Sequence, residues 1–432
     1  GISSLLQAIG ATPNFTDIKY FFVKIHILNW IKTKKIMINI ALIGLGRIGQ
    51  MHGQNLNNHK EFNLKYVYDI DKNLANKIAK KLKSKAINDP KIAFNDKNVK
   101  SIFIASSTST HIKLITEAVK NNKVIFCEKP LDLDINKIEK CRKIIKKFKP
   151  KIQLGFNRRY DPGHNSLKKK LLKGEIGKLE KIIITSRDPS PPSINYLKSS
   201  GGIFKDMMIH DFDLTRYYLG NDEPVNIIST ASNISDRRFN KIKDFELATS
   251  LIKSKKGVQC IITNSRHCSF GYDQRVELFG SKGMVISENK RDKEISTYLK
   301  GSTSNKTPLM NFFIERYKEA YQLQLNDLAK FVKKKYKPLA EFEEGRKAFL
   351  AYREQKRLAQ AAQGKLDRIW DILNQHPSDS ILIFTDDNLM AYHIGCELVL
   401  PVLTHQTKAT ERKRILQCFR AKSTHSRRRS ES

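Results

Sequence analysis

No two of the six cysteines (Cys127, Cys141, Cys260, Cys268, Cys396 and Cys418) stand as CxxC or at any short paired spacing. That removes the usual sequence grounds for a zinc site or a disulfide framework; no metal is expected, and a reducing, cytoplasmic setting fits. No apolar run approaches the roughly 18 residues of a membrane span. The segment YFFVKIHILNWI at 20–31 is broken by Lys24 and His26, and no small-residue cleavage site follows it. Neither a membrane helix nor a signal peptide is expected there. There is no internal repeat. Acidic residues are few beside basic ones, 43 against 79, which leaves a formal net charge of +36. Clustered, that excess would read as a footprint for phosphate. Here it is mostly Lys, scattered among many Ile and Asn, which fits AT-rich codon usage better than a binding surface; nucleic acid is not an expected partner.

What is present suits a globular enzyme. With 432 residues, 40% hydrophobic and 28% charged, the chain can hold two or three domains with sizeable cores. Its composition breaks twice. Position 1 is not Met, whereas Met37 opens MINIALIGLGRIG as a natural domain start, so residues 1–36 are read as an extension of open status. Near residue 351 the basic residues change: about 47 Lys to 13 Arg over 37–350, then about 5 Lys to 9 Arg over 351–432. Residues 421–432, which end in STHSRRRSES, read as a disordered basic tail.

Between the breaks, INIALIG (38–44), LKYVYD (64–69), SIFIAS (101–106), VIFCE (124–128) and IQLGF (152–156) are short, almost continuous apolar runs. Helical patterns at 48–58, 72–83, 111–121 and 134–148 separate them, the signature of a parallel sheet covered on both faces. After residue 178 the runs alternate instead (LEKIIITSR, VNIISTAS, ELATSLIK, VQCIITNSR, QRVELFG, MVISEN), as in a half-exposed antiparallel sheet, with a helix over 203–219 inserted early. The expected fold is α/β: a Rossmann doubly wound parallel sheet over 37–157, then an α+β domain with an open, mainly antiparallel sheet over 158–350.

Gly44, Gly46 and Gly49 form GLGRIG between the first strand and the first helix, and Asp69 ends the second strand 20 residues beyond Gly49. Such a turn lets the backbone approach a pyrophosphate at a helix N-terminus, while the acidic residue accepts from the ribose hydroxyls and repels a 2′-phosphate. NAD is therefore expected rather than NADP. CEKPLD puts Glu128, Lys129 and Pro130 at the end of the fourth run, where open parallel sheets bind ligands. The expected cofactor contacts are Gly44, Gly46, Arg47, Ile48, Gly49, Asp69, Ser106, His111, Glu128 and Lys129.

In GGIFKDMMIHDFDL (201–214), Asp206 and His210 are four apart, so on a helix they share one face and can touch. An imidazole beside a carboxylate suits the proton acceptor that alcohol oxidation needs. Asp213 is expected to pair with Arg216 on the helix surface; the pattern assigns Asp211 no role.

GLGRIG with Asp69, CEKPLD, GFNRRYDP, SGGIFKDMMIHDFDLTRYYLG and NSRHCSFGYDQRVELFGSKGM together resemble the glucose-fructose oxidoreductase (Gfo/Idh/MocA) family, over about residues 37–350. SRDPSPPSINYLKSSGGIF and NSRHCSFGYDQRVE point within it to the inositol 2-dehydrogenase branch. The resemblance implies NAD-dependent oxidation of myo-inositol to scyllo-inosose, or of another cyclitol or sugar. It implies that Lys129 positions and polarises the substrate hydroxyl, that His210 is the general base and that Asp206 holds His210. Arg158, Arg159, Asp188 and Tyr272 are its substrate-pocket candidates. It also implies a homotetramer through the open face of the second sheet. Residues 351–420 resemble part of an XPB-type superfamily 2 helicase. The chain holds no GxxxxGK[ST], so ATP hydrolysis by that piece is not expected. The chain reads as an enzyme joined to a helicase fragment; a fusion that binds nucleic acid through its basic C-terminal piece is the alternative of another class.

Overall fold

A computed structural model describes residues 37–333, 338–343, 346–347 and 363–375, with short stretches between 381 and 417. The extension 1–36 and the basic tail lie outside the described residues. Of residues 351–420, helices Gln363–Gln375 and Asn388–Glu397 are described. Among the described residues no helix is long and apolar enough to cross a membrane.

The first compact unit comprises the described residues up to Asn157 together with Glu319–Phe342. Its strands are β1 (Ile38–Ile43), β2 (Phe62–Tyr68), β3 (Lys85–Ala86), β4 (Ser101–Ile104), β5 (Val124–Cys127) and β6 (Lys151–Leu154). All pair in parallel, in the order β3-β2-β1-β4-β5-β6. β1, β4 and β5 are buried along almost their whole length, as their unbroken apolar runs require when helices cover both faces. The chain crosses over between β1 and β4, and the crevice beyond the carboxyl ends of these strands is where such sheets take ligands. Helix α1 (Arg47–Asn57) follows β1 directly and buries Gly49, His52, Gly53 and Leu56, one stripe at helical spacing. Helix α2 (Lys72–Leu82) starts where Asp71 caps the backbone N–H groups of Asn73 and Leu74. Helix α3 (Thr108–Lys120) follows β4.

The expected second domain, 158–350, loses a segment to this unit. Leu325, Leu328, Ala329 and Phe331 of the helix Lys318–Lys333 join the core formed by β1, β2 and their helices. Gln153 Nε2 donates to Gln324 O on that helix at 3.2 Å, Gln324 Nε2 donates to Leu154 O at 3.1 Å, and the backbone N–H of Leu154 donates to Ala340 O at 2.9 Å. The edge strand β6 is thereby covered.

The second unit comprises Arg158–Lys318 together with the described residues from Glu343 onward. Its sheet comprises β7 (Leu179–Arg187), β8 (Pro224–Ser232), β9 (Leu247–Ser254), β10 (Gln259–Ser265), β11 (Asp273–Gly280) and β12 (Gly283–Ser287), in the order β12-β11-β7-β10-β9-β8. Four of its five pairings are antiparallel; β7 and β10 run parallel. Burial alternates along β9 and β10, so one face is covered and the other open. The helix expected over 203–219 is two helices, α4 (Gly202–Asp206) and α5 (Ile209–Leu219), broken at Met207 and Met208.

Candidate active site

In the first unit, three strand ends carry the expected cofactor residues. Gly44 follows β1 with φ +94°, and a Cβ there would lie 2.4 Å from the backbone of Ser106, just past β4. At Gly49 a Cβ would lie 2.0 Å from Gly44 O, so α1 packs on the turn only without a side chain. Gly46 is exposed with nothing within 4 Å of a Cβ, which leaves open the face a pyrophosphate would use. α1 has no side-chain cap and no acidic residue in its first turn, a beginning suited to an anion. Asp69 closes the cradle: its Oδ2 accepts the Leu45 N–H at 2.7 Å and its Oδ1 the Asp71 N–H at 3.0 Å. The carboxylate is thus fixed against the glycine turn, where a ribose would reach it. These features fit a dinucleotide.

Ser106 Oγ lies 2.7 Å from Thr110 Oγ1 at the start of α3. His111, expected among the cofactor contacts, instead faces inward. It is 1% exposed, with Nδ1 2.8 Å from Pro130 O and Nε2 3.0 Å from Ser106 O. Burial pushes its pKa down while the two carbonyls pull it up. It serves as a strut between the loops after β4 and β5. Beyond β5, the Lys129–Pro130 peptide is cis and Lys129 is half-buried. Glu128 uses both oxygens inside the unit, Oε1 toward His52 Nε2 at 2.7 Å and Oε2 for the Lys129 N–H at 3.1 Å.

In the second unit, Asp206 is buried at the end of α4. Its Oδ1 accepts from the Tyr196 hydroxyl at 2.8 Å and its Oδ2 from Arg266 Nη1 at 2.9 Å. The same Nη1 lies 3.9 Å from Asp188 Oδ2, so Arg266 brings Asp188 and Asp206 together. α4 is held in turn by Asp244, which accepts the Ile203 N–H at 2.9 Å. His210 is half-buried in the first turn of α5, four residues from Asp206 across the break at Met207 and Met208.

Both arginines expected in the substrate pocket are 5% exposed and take internal partners. Arg158 Nη1 donates to Asp211 Oδ1 at 2.6 Å, and Ser186 and Asn264 also donate to Asp211. Ser186 and Asn264 face each other in the β7–β10 register, which places both donors on one face of the sheet. Arg159 meets Asp213 through two parallel bonds, each 2.8 Å. The expected Asp213–Arg216 surface pair is therefore replaced: Asp213 is buried, and Arg216 binds Glu223. Tyr272 is also buried, edge-on to Phe312 and Tyr317.

His52, Tyr196 and Arg266 were not singled out by the sequence. A polar residue on the buried stripe of α1 was a legible signal for His52. Tyr196 and Arg266 carry none, because only the folded chain brings them to Asp206.

A doubly wound sheet with this turn and acidic residue, followed by a mixed-sheet domain bearing Asp and His, defines a two-domain nicotinamide-dependent oxidoreductase. Residues 38–156 match the family described as "Oxidoreductase family, NAD-binding Rossmann fold", and residues 164–286 match "GFO/IDH/MocA C-terminal domain". The chain is 38% identical over 297 residues to the inositol 2-dehydrogenase of Rhizobium meliloti, spanning 68% of this chain and 88% of that protein. It is 36% identical over 335 residues to the myo-inositol 2-dehydrogenase of Thermotoga maritima, spanning 77% and 99%. The crystal structure of a myo-inositol dehydrogenase from Corynebacterium glutamicum is similar, with TM-score 0.70 and 36% identity over 74% of this chain and 97% of that one. The chain belongs to the Gfo/Idh/MocA family of NAD-binding oxidoreductases.

Proposed function

We propose that the chain oxidises myo-inositol to scyllo-inosose with NAD. The reading is supported by one combination, found in a chain 38% identical to an inositol 2-dehydrogenase: an Asp69-backed glycine turn, Lys129 beyond β5, and half-buried His210 after Asp206. Gly44, Gly46, Gly49 and Asp69 hold the dinucleotide, and Asp69 selects against a 2′-phosphate. Bound NAD supplies the hydride acceptor. His210 takes the proton of the reacting hydroxyl, and Asp206 steadies its ring, itself steadied by Tyr196 and Arg266. Lys129 positions and polarises the substrate hydroxyl. Of the four substrate-pocket candidates, Arg158, Arg159 and Tyr272 are buried and Asp188 is half-buried.

The open face of the second sheet pairs with further copies of the chain. Strand register aligns Ile228, Leu251, Ile261, Ile183, Glu277 and Ile286 in one row across it, and Ile228 is 63% exposed. Five of the six are apolar, and an exposed row of this kind supports such an interface.

The functional test is an initial-rate panel of myo-inositol, other cyclitols and sugars, each with NAD and NADP. NADH formation fastest with myo-inositol is expected. Preference for another cyclitol would move the substrate within the family, and no reduction with any polyol would refute the reading.

A further inference from the structure

His52 sits on the buried stripe of α1, 1% exposed, with its ring among those of Phe103, Phe126 and Tyr321 at centroid distances of 4.5, 5.7 and 5.4 Å. A polar ring in such surroundings is costly unless its hydrogen bond is used. Nε2 makes that bond, 2.7 Å from Glu128 Oε1; an ionised carboxylate only accepts, so Nε2 carries the hydrogen and donates. Nδ1 is buried with no hydrogen-bond partner among the described residues, so the Glu128 bond is the contact that orients the ring. The second oxygen of Glu128 accepts the backbone N–H of Lys129 at 3.1 Å. Gly155 backs the carboxylate so closely that a Cβ there would lie 2.6 Å from Oε2 and 3.1 Å from Glu128 Cα. Glu128 therefore has little room to turn. On the far side of the lysine, Pro130 O is held by His111.

We infer that His52 is a positioning residue for Lys129, acting through Glu128. One helix begins at the glycine turn and carries, one turn in, the donor that fixes the carboxylate under the lysine's backbone. A bond to an ionised acceptor is strong and directional in a low-dielectric site, so it sets the origin from which the lysine side chain reaches out. The inference rests on the reading that Lys129 serves the substrate hydroxyl.

The test uses the full chain with two readouts. The first is steady-state oxidation of myo-inositol by NAD, with the primary deuterium isotope effect. The second is competitive isotopic acylation of the lysines, read by mass spectrometry without substrate. His52→Leu should lower kcat roughly ten- to a hundredfold, the scale of a misplacement of about 1 Å, and raise the isotope effect on kcat. The KM for NAD should stay within about twofold, since uniform cofactor binding is not what is lost. Lys129 should change its labelling rate relative to the other lysines. His52→Gln, whose amide N–H reaches the same place, should recover most of the loss. His52→Asn, one methylene shorter, should not, and this pair carries the test if the leucine variant fails to fold. Wild-type turnover and wild-type Lys129 labelling in His52→Leu, or equal impairment of the Gln and Asn variants, would overturn the inference. If the wild type oxidises no polyol, the functional reading fails, and the labelling comparison still decides the place of His52.

Discussion

Arg158 and Asp211 are joined at 2.6 Å inside the second unit, and Asp211 is the residue after His210. The proposed base thus stands on a helix anchored to β7 and β10 through one buried carboxylate, which takes bonds from Arg158, Ser186 and Asn264.

Arg158→Met should destabilise the fold by about 3–5 kcal/mol, because it leaves the Asp211 charge buried without its counter-ion. Urea unfolding monitored by far-ultraviolet circular dichroism measures this. A raised KM for the polyol with stability unmoved would return Arg158 to the substrate pocket.

Asp69→Ser should narrow the preference for NAD over NADP, since it removes the charge that repels a 2′-phosphate. It should also raise the KM for NAD, because the bond that Asp69 accepts from the Leu45 N–H is lost. The specificity constants for both cofactors decide the matter; an unchanged ratio would show that discrimination lies elsewhere.

His164 supplies a pH dependence. Burial, with Arg316, Arg158 and Lys290 nearby, pushes its pKa down to about 3 despite the Asp161 carboxylate that faces it. In the unfolded chain an ordinary histidine takes its proton near pH 6.5. Between those values the unfolded state binds more protons, so stability is full above about pH 6.5 and falls as pH drops toward 3. Asp161, also held low, adds loss of the same sign at more acid pH. Thermal midpoints between pH 8 and 4 should therefore fall on acidification, and the fall should be shallower in His164→Gln. Parallel profiles for the two proteins would contradict this.

Leu251→Glu places a charge within the open row, between Ile228 and Ile261. Sedimentation equilibrium should show the variant dissociating toward monomers while its circular dichroism is unchanged. An assembly indifferent to the substitution would move the interface off this face.

Much of the fold was legible because burial writes itself into local pattern. QRVELFG alternates in burial from Arg275 onward and lies in β11; SIFIAS and VIFCE are continuous and lie in the doubly covered sheet. The glycine turn and Asp69 were readable because phosphate binding needs fixed residue types at fixed spacing. What escaped depends on distant partners. The amphipathic helix Lys318–Lys333 has an apolar face, but nothing in its sequence says which core it joins. Asp213 has an arginine three residues on and bonds instead to one 54 residues back. The break at Met207 and Met208 was hidden because the apolar run continues through it. It means that the spacing of Asp206 and His210 alone does not set their geometry.

The central claim is hydride transfer from a polyol carbon to NAD, with His210 removing the proton. The most direct measurement supplies myo-inositol deuterated at C2 with NAD to the wild type and to His210→Ala, and follows deuterium into the reduced cofactor by mass spectrometry. Deuterium at the nicotinamide ring, formed about two to four orders of magnitude more slowly by the variant, is the predicted result. Reduced cofactor without deuterium, or equal rates for both proteins, would contradict the account.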